Sequence, residues 1–277
     1  MKKIIKSIYN YIPFKKELYL ALKRNWKPRE SLYKHLHFKE SFSVKIDFNK
    51  SFDIYNETQI ENEIFWEGLT GKWEKESMKL WIKLSEISAC IFDIGSNTGV
   101  YALVAKTINP ESRVFAFEPH PLFFNMLEKN IELNDYEIMS LKKAVSDVDG
   151  KIKIEDYSGA SSSINVESVS LDKFIDDKKI EKVDLLKIDV ETFEPQVIKG
   201  FEKYLSLHHP TLLIEILNED VAKSINDLIG NIEYLYFNID ERGGVRQTEK
   251  IEKSDYYNYL ICEASVAKKI GLIKKDL

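Results

Sequence analysis

The chain has 277 residues, 44% hydrophobic and 31% charged, enough to bury one sizeable core plus a smaller appendage but too few for two full domains. No apolar run approaches the roughly 18–20 residues needed to cross a bilayer, so no transmembrane helix is expected. Charge is uneven: residues 1–29 carry nine Lys/Arg against Glu17 alone, leaving 31 basic and 44 acidic residues, a net charge of −13, for the remainder. A body this acidic is a poor partner for a nucleic-acid backbone.

Residues 1–30 read as helical, ending near Pro28, with Ile4, Ile5, Ile8, Tyr11 and Ile12 at helical spacing. Lys6 interrupts the apolar run and no small-residue cleavage site follows, so a cleaved signal peptide is not expected. This basic segment either lies on an anionic membrane surface or packs on the body with a solvated basic face. The second reading is preferred, and with it a cytoplasmic location; peripheral contact with the inner face of the membrane through residues 1–29 is the alternative. Cys90 and Cys262 sit in apolar stretches, which suits buried thiols in a reducing compartment better than a disulfide or metal cluster. No C-x-x-C or H-E-x-x-H pattern is present.

Residues 41–55 alternate polar and apolar (Phe42, Val44, Ile46, Phe48, then Phe52, Ile54) around Asn49-Lys50-Ser51, a hairpin signature. Over 58–86, Ile60, Ile64, Phe65, Leu69, Trp73, Met78, Trp81, Ile82 and Leu84 suit one or two amphipathic helices. Such an aromatic stripe is more often core than pocket lining. From residue 89 short apolar strands alternate with helical segments. The expected strands are Cys90–Ile94, Arg113–Glu118, Ile138–Lys142, Val183–Asp189, Thr211–Leu217, Ile232–Asn238 and Tyr256–Cys262, the last two able to pair antiparallel. Helices are expected through Lys106, over Pro121–Leu133 and over Glu194–Leu205, with a polar hairpin region around 151–170. The alternation predicts a doubly wound, mainly parallel α/β sheet. It divides the chain into an N-terminal extension, 1–88, for acceptor, membrane or partner contacts, and a cofactor domain, 89–277. In such sheets a ligand lies beyond the carboxyl ends of the strands.

The first of these strands runs into Asp93-Ile94-Gly95-Ser96-Asn97-Thr98-Gly99. Gly95 permits a tight turn and Gly99 close helix–strand packing. A dinucleotide fold wants G-x-G-x-x-G, whose middle glycine lets a pyrophosphate approach the backbone. Asn97 stands there and obstructs it, while Asp93 repels phosphate but welcomes a cation. S-adenosylmethionine, with an ammonium and a sulfonium and no phosphate, fits both features. Glu118 ends the next strand, where a carboxylate can accept both ribose hydroxyls; Pro119 and His120 follow it. Ala144-Val145-Ser146-Asp147 leave the third strand where adenine would border. A NAD-dependent sugar oxidoreductase is the alternative, disfavoured by Asn97 and by the lack of a well-placed Tyr-x-x-x-Lys pair; an inactive binding module of the same fold is another.

These segments resemble the FkbM family of methyltransferases, through FDIGSNTG (92–99), FAFEP (115–119), AVSDVDG (144–150) and above all DLLKIDVETFEPQVIKG (184–200). The resemblance covers roughly residues 89–217. It implies a class I (Rossmann-like) methyltransferase fold, a seven-stranded sheet with its last strand antiparallel. It also implies O-methylation of a sugar, polysaccharide, glycolipid or related natural product. The family usually reads D-V-E-G where this chain has Thr192, a β-branched residue that disfavours positive φ.

Methyl transfer to a hydroxyl asks the protein for alignment, desolvation and a proton acceptor. The fourth and fifth strand ends deliver Lys187, Asp189, Glu191 and Glu194 from one segment and Glu215 from the other. Asp189 is the preferred proton acceptor; an ion pair with Lys187 or a helix cap is its structural alternative. Glu191 and Glu194 equally suit capping of the helix near Pro195. Glu215 lies inside the run Leu212–Leu217, where an acid needs a partner or a cleft. Asp189, Glu191 and Glu215 are also oxygen donors of the kind Mg²⁺ takes, but direct acid–base use is preferred, since no imidazole or second carboxylate pair fixes a metal geometry. His120 is assigned to the adenosine or to solvent, and His208-His209 to a loop.

Overall fold

The computed structural model describes residues 13–156 and 163–274. The helical spacing of Ile4 to Ile12 lies outside the described residues. The N-terminal part contains α1 (Lys15–Lys23), α2 (Glu30–Tyr33), the hairpin β1 (Ser41–Lys45) and β2 (Ser51–Tyr55), then α3 (Gln59–Glu67) and α4 (Lys75–Glu86). The hairpin pairs Phe42 with Ile54 and Val44 with Phe52, and all four side chains are buried. It is shorter than the alternation predicts. Asp47 Oδ1 accepts the N–H groups of Asn49 and Lys50 at 2.7 and 2.8 Å, so an Asx turn ends the strand before Phe48, which is fully exposed. The outer edge of β2 is not left open: Asn130 Oδ1 accepts from Tyr55 N, and Asn134 exchanges bonds with the Asp53 backbone in both directions.

The central body follows as β3 (Cys90–Ile94), α5 (Val100–Ile108), β4 (Arg113–Phe117), α6 (Pro121–Leu133) and β5 (Ile138–Leu141). Next come β6 (Ala144–Val145), β7 (Gly150–Glu155), β8 (Ser163–Val169), α7 (Leu171–Lys178) and β9 (Leu185–Ile188). The chain closes with α8 (Glu194–Lys199), α9 (Glu202–His208), β10 (Thr211–Glu215), α10 (Glu219–Ile229), β11 (Leu235–Asp240), β12 (Gly244–Thr248), β13 (Asn258–Cys262) and α11 (Ala264–Ile270). The large sheet runs β12-β11-β13-β10-β9-β3-β4-β5. The five strands from β10 to β5 are parallel, and β13 is antiparallel to both neighbours. This is the doubly wound sheet with an antiparallel last strand, widened to eight strands by β12. Polar Gly244–Thr248 escapes a hydrophobicity reading because, on a sheet edge, it buries no side chain.

Strand alternation sends neighbours to opposite faces. Ile91, Val114, Leu185, Leu213 and Leu260 join one apolar cluster with α4, α5 and α6, and the N-terminal aromatics Tyr33, Phe38, Phe65 and Trp66 are part of that same cluster. Phe92, Phe115, Leu186, Ile214 and Ile261 join the other, beneath α7 to α10. The thiols of Cys90 and Cys262 are free and buried, and burial pushes both up to about 12.

Two helical expectations change. The single helix expected over 194–205 is two, broken at Gly200-Phe201, because a Cβ on Gly200 would lie 2.1 Å from the Ser146 carbonyl oxygen. The helix α10, unassigned in the sequence, starts where Asn218 accepts the Val221 N–H at 2.9 Å and buries Val221, Ala222, Ile225 and Ile229 on one stripe. Among the described residues no helix is long and apolar enough to cross a membrane.

Candidate functional site

The parallel strands end at one cavity of about 780 Å³, within the size range of small-molecule sites. Its floor is the turn after β3. Gly95 sits at φ 80°, Asn97 at φ 51° and Gly99 at φ 93°. Gly95 and Ser96 donate to the Phe117 carbonyl at 2.9 and 3.0 Å, tying the turn to the end of β4. A Cβ on Gly95 would lie 1.8 Å from the Asp189 carbonyl oxygen, so the turn also presses against the end of β9. Gly99 does not line the cavity; a Cβ there would meet Leu127 Cδ1 at 2.5 Å, which makes its role one of helix packing.

Asp93 is 1% exposed and accepts the Ala102 N–H at 3.0 Å. Burial pushes its carboxyl up to about 7, against the pull of the Lys187 ammonium. Its negative charge, on which the sequence reading rests, is therefore conditional on a nearby cation. Glu118 is held by two backbone donors, Asn97 N to Oε2 and His120 N to Oε1, each at 2.8 Å. Burial raises its pKa and these bonds oppose the rise. Each oxygen can accept a further hydrogen bond, and Glu118 lines the cavity. His120 caps α6, accepting from Leu122 N through Nδ1 at 3.2 Å, and its Nε2 lies 3.3 Å from Asp156 Oδ1.

Pro119, Ala144 and Val145 line the cavity with the β7 residues Ile152 to Glu155. Ser146 does not; it is buried with Oγ 3.1 Å from Asp147 Oδ1.

On the other side Lys187, Asp189, Glu191 and Glu215 meet, delivered by β9, the loop after it and β10. Lys187 is 1% exposed, donates to Asp189 Oδ2 at 3.0 Å, and lies 5.0 Å from the centre of the Tyr101 ring. Burial alone would lower its pKa; Asp189, Glu74 and Glu215 together outweigh burial and hold the ammonium firmly charged. Glu215 is pushed up to about 8 by burial and by the Asp189 carboxylate, to which it is also hydrogen-bonded, against Lys187. Glu191 is shifted upward by burial, Asp189 and Glu155. Among the described residues no group of three His, Cys, Asp or Glu side chains is placed to hold a metal ion.

Glu194 lies behind the cavity wall and caps the loop, its Oε1 accepting from Val190 N at 3.2 Å and Thr192 N at 3.3 Å. Burial pushes it up to about 7. Thr192 keeps the left-handed conformation at φ 79°, directly after Glu191 at φ 54°. The loop thus holds a glycine-type geometry without the glycine, a strain of about 1–3 kcal/mol that its hydrogen bonds and neighbours must offset.

Trp73, Glu74 and Tyr101 complete the wall and were not singled out as site residues in the sequence. The Tyr101 hydroxyl donates to Glu74, and Glu74 is raised by burial but drawn back by Lys187. Trp73 was visible only as one member of an aromatic stripe, most of which is core.

The sequence pattern of the methyltransferase FkbM domain matches residues 93–238. The hexuronic acid methyltransferase AglP of Haloferax volcanii is 26% identical over 192 residues, 65% of this chain and 79% of that protein. Methyltransferase sdnD of Sordaria araneosa is 24% identical over 41% of this chain and 60% of its own length. Among solved structures, a methyltransferase FkbM from Methylobacillus flagellatus aligns with TM-score 0.44 and 15% identity, over 64% of this chain and 44% of that one. An O-methyltransferase from Bacillus cereus in complex with SAH aligns with TM-score 0.42 and 16% identity, over 66% and 77%. With the domain pattern spanning more than half of its residues and the glycine turn, Glu118 and the 184–200 segment inside it, the chain belongs to the FkbM family of methyltransferases.

Proposed function

We propose that this methyltransferase uses S-adenosylmethionine to methylate a hydroxyl of a sugar-containing acceptor. The observation that carries the reading is that one cavity joins the Gly95–Thr98 turn and Glu118 to the cluster Lys187, Asp189, Glu191 and Glu215. The residues present fit the cofactor: Asn97 Oδ1 is buried without a partner in the turn, and a buried acceptor atom calls for a donor. Glu118 offers its remaining lone pairs to ribose hydroxyls, and Asp93, otherwise half-protonated near neutrality, is poised for a cation. When bound, S-adenosylmethionine supplies an activated methyl on a sulfonium.

The chain supplies the rest. Asp189 accepts the hydrogen bond, and then the proton, of the acceptor hydroxyl, while Lys187, 3.0 Å from its Oδ2, fixes the position of the carboxylate. Glu215, raised by burial and hydrogen-bonded to Asp189, helps to orient the acceptor beside that carboxylate. Relatives named as methyltransferases and the family assignment set aside the NAD-dependent oxidoreductase. AglP, named for a hexuronic acid, supports a glycan acceptor class.

Calorimetric titration of the wild type and Asp189→Asn with S-adenosylmethionine tests this directly. Both bind it with affinities within about threefold of each other, whereas turnover of the variant falls by about 10²-fold or more. Full activity in Asp189→Asn removes it as the proton acceptor; binding of NAD instead of S-adenosylmethionine sinks the cofactor assignment.

We also infer that the basic N-terminal segment touches an anionic membrane rather than only water. Of α1, only Tyr19 is buried, while Phe14, Leu18, Leu22 and Trp26 stand exposed at four-residue spacing. Lys15, Lys16, Arg24, Lys27 and Arg29 surround them, a combination that favours the lipid interface. The full chain then co-sediments with vesicles containing phosphatidylglycerol but not with phosphatidylcholine alone, and Leu18→Asp/Leu22→Asp abolishes it. Equal recovery from both vesicle types overturns the inference.

A further inference from the structure

We infer that the acceptor subsite takes an uncharged pyranose, seated against Trp73 and hydrogen-bonded by Glu74, and that it turns away a sugar bearing a carboxylate. The inference rests on the methyltransferase reading above and narrows its acceptor.

Trp73 and Glu74 come from the segment before β3, outside the residues that match the family domain, yet they wall the same cavity as Asp189 and Glu215. Trp73 is half-buried, its ring held edge-on to Tyr101 at 5.8 Å and 70°. A half-open indole offers a flat apolar face, which suits the C–H face of a pyranose ring. Glu74 sits in the left-handed region at φ 39°, ψ 46°, unusual for a residue with a side chain. The Tyr101 hydroxyl fixes its carboxyl group. An aromatic plate beside carboxylates that accept from hydroxyls is chemistry suited to an uncharged polyol.

The charges decide against an acidic sugar. Seven acids line the cavity (Glu74, Asp93, Glu118, Glu155, Asp189, Glu191 and Glu215) against three lysines. Of those lysines, Lys143 and Lys153 are exposed. Lys187, the buried one, is already paired with Asp189 at 3.0 Å and serves Glu74 and Glu215 as well. Asp93 and Glu215 are drawn towards their protonated forms, so the discrimination rests not on the net count but on Lys187 being shared among carboxyls already in the cavity. A ligand carboxylate here meets carboxylates at reduced dielectric and, among the described residues, finds no unclaimed buried cation. A hydroxyl can donate to these carboxylates and needs no buried cation of its own. The acceptor preference therefore departs from the one in the name of the Haloferax relative.

The test uses the full chain saturated with S-adenosylhomocysteine, titrated with methyl hexopyranosides and with the matching methyl hexuronides, read by ligand-observed NMR. A neutral pyranoside binds, and its hexuronide binds at least about tenfold more weakly at low salt, the gap narrowing as salt screens the cavity. Trp73→Ala weakens the pyranoside by about tenfold while S-adenosylhomocysteine affinity stays within about twofold. Glu74→Gln keeps the acceptor for the Tyr101 hydroxyl, removes one charge and narrows the gap between the two sugar types. Hexuronide binding equal to or tighter than its neutral match overturns the inference. So does the absence of any pyranoside binding to the saturated protein, or an unchanged Trp73→Ala. Failure to bind S-adenosylhomocysteine is a separate result that overturns the cofactor reading and this inference with it.

Discussion

Replacing Lys187 with methionine is expected to destabilise the protein by about 3–5 kcal/mol near pH 8, the cost of removing one partner from a buried charge pair. Lys187 is 1% exposed, and its ammonium answers Asp189 directly and Glu74 and Glu215 through space. Methionine fills nearly the same volume, so the loss is electrostatic rather than a cavity. Without the ammonium the surrounding carboxyls rise further above their unfolded values. A carboxyl raised on folding contributes stability that is fully present below its unfolded pKa and is lost as pH rises towards its folded pKa. Glu215 is already raised with the ammonium present, so its share of the penalty accrues only above its wild-type value, at the alkaline end of that window. The penalty for Lys187→Met is therefore smaller near pH 5 and larger at pH 8, still growing above it. Urea unfolding of both proteins at the two pH values measures it. A variant within about 1 kcal/mol of wild type at pH 8 shows that the ammonium is not what balances these acids.

The second large effect belongs to Gly95→Ala. The new Cβ would stand 1.8 Å from the Asp189 carbonyl oxygen, a backbone atom in the end of β9, and the residue keeps φ at 80°. Either β3 and β9 separate at their carboxyl ends or the turn is rebuilt, and both move the cavity floor. Destabilisation of about 4 kcal/mol or more is expected, together with loss of cofactor binding. Two other glycines calibrate it. Gly99 has comparable φ, but its neighbour is the flexible Leu127 side chain at 2.5 Å, while Gly68, at φ 86°, has nothing within 4 Å. Alanine at Gly68 should cost only the conformational strain, about 1–2 kcal/mol. Urea midpoints must rank the three variants Gly68, Gly99, Gly95 in increasing damage; equal losses at all three mean that φ alone, and not the contact with Asp189, makes Gly95 necessary.

The half of the cavity proposed for the cofactor was legible because it is local. Asp93 to Gly99 form a single strand–turn–helix, and Glu118 directly follows the adjacent strand, so their grouping follows from the βαβ pattern alone. The acceptor half was legible only in part. Lys187, Asp189 and Glu191 share one segment and Glu215 ends the next strand, which placed them together. Trp73 and Glu74 precede β3 and reach the cavity only because α4 packs across α5, with Trp81 donating to the Tyr101 carbonyl at 2.9 Å. No periodicity in residues 58–86 separates the one aromatic that faces a cavity from its buried neighbours. The strand and helix without a strong apolar signal have their own reason: β12 has Val245 as its one large apolar residue, only partly buried, and α10 begins on an Asn218 cap.

By itself, then, the sequence determined the α/β alternation, the cofactor turn and the family, because strand runs, tight turns and strand-end acids are written in neighbouring residues. Only the tertiary structure decided the charge state of the acids and the composition of the acceptor wall. A carboxyl such as Glu215 takes its proton affinity from burial and from Asp189 and Lys187 on the next strand. Desolvation and through-space charge depend on distances that chain spacing does not contain.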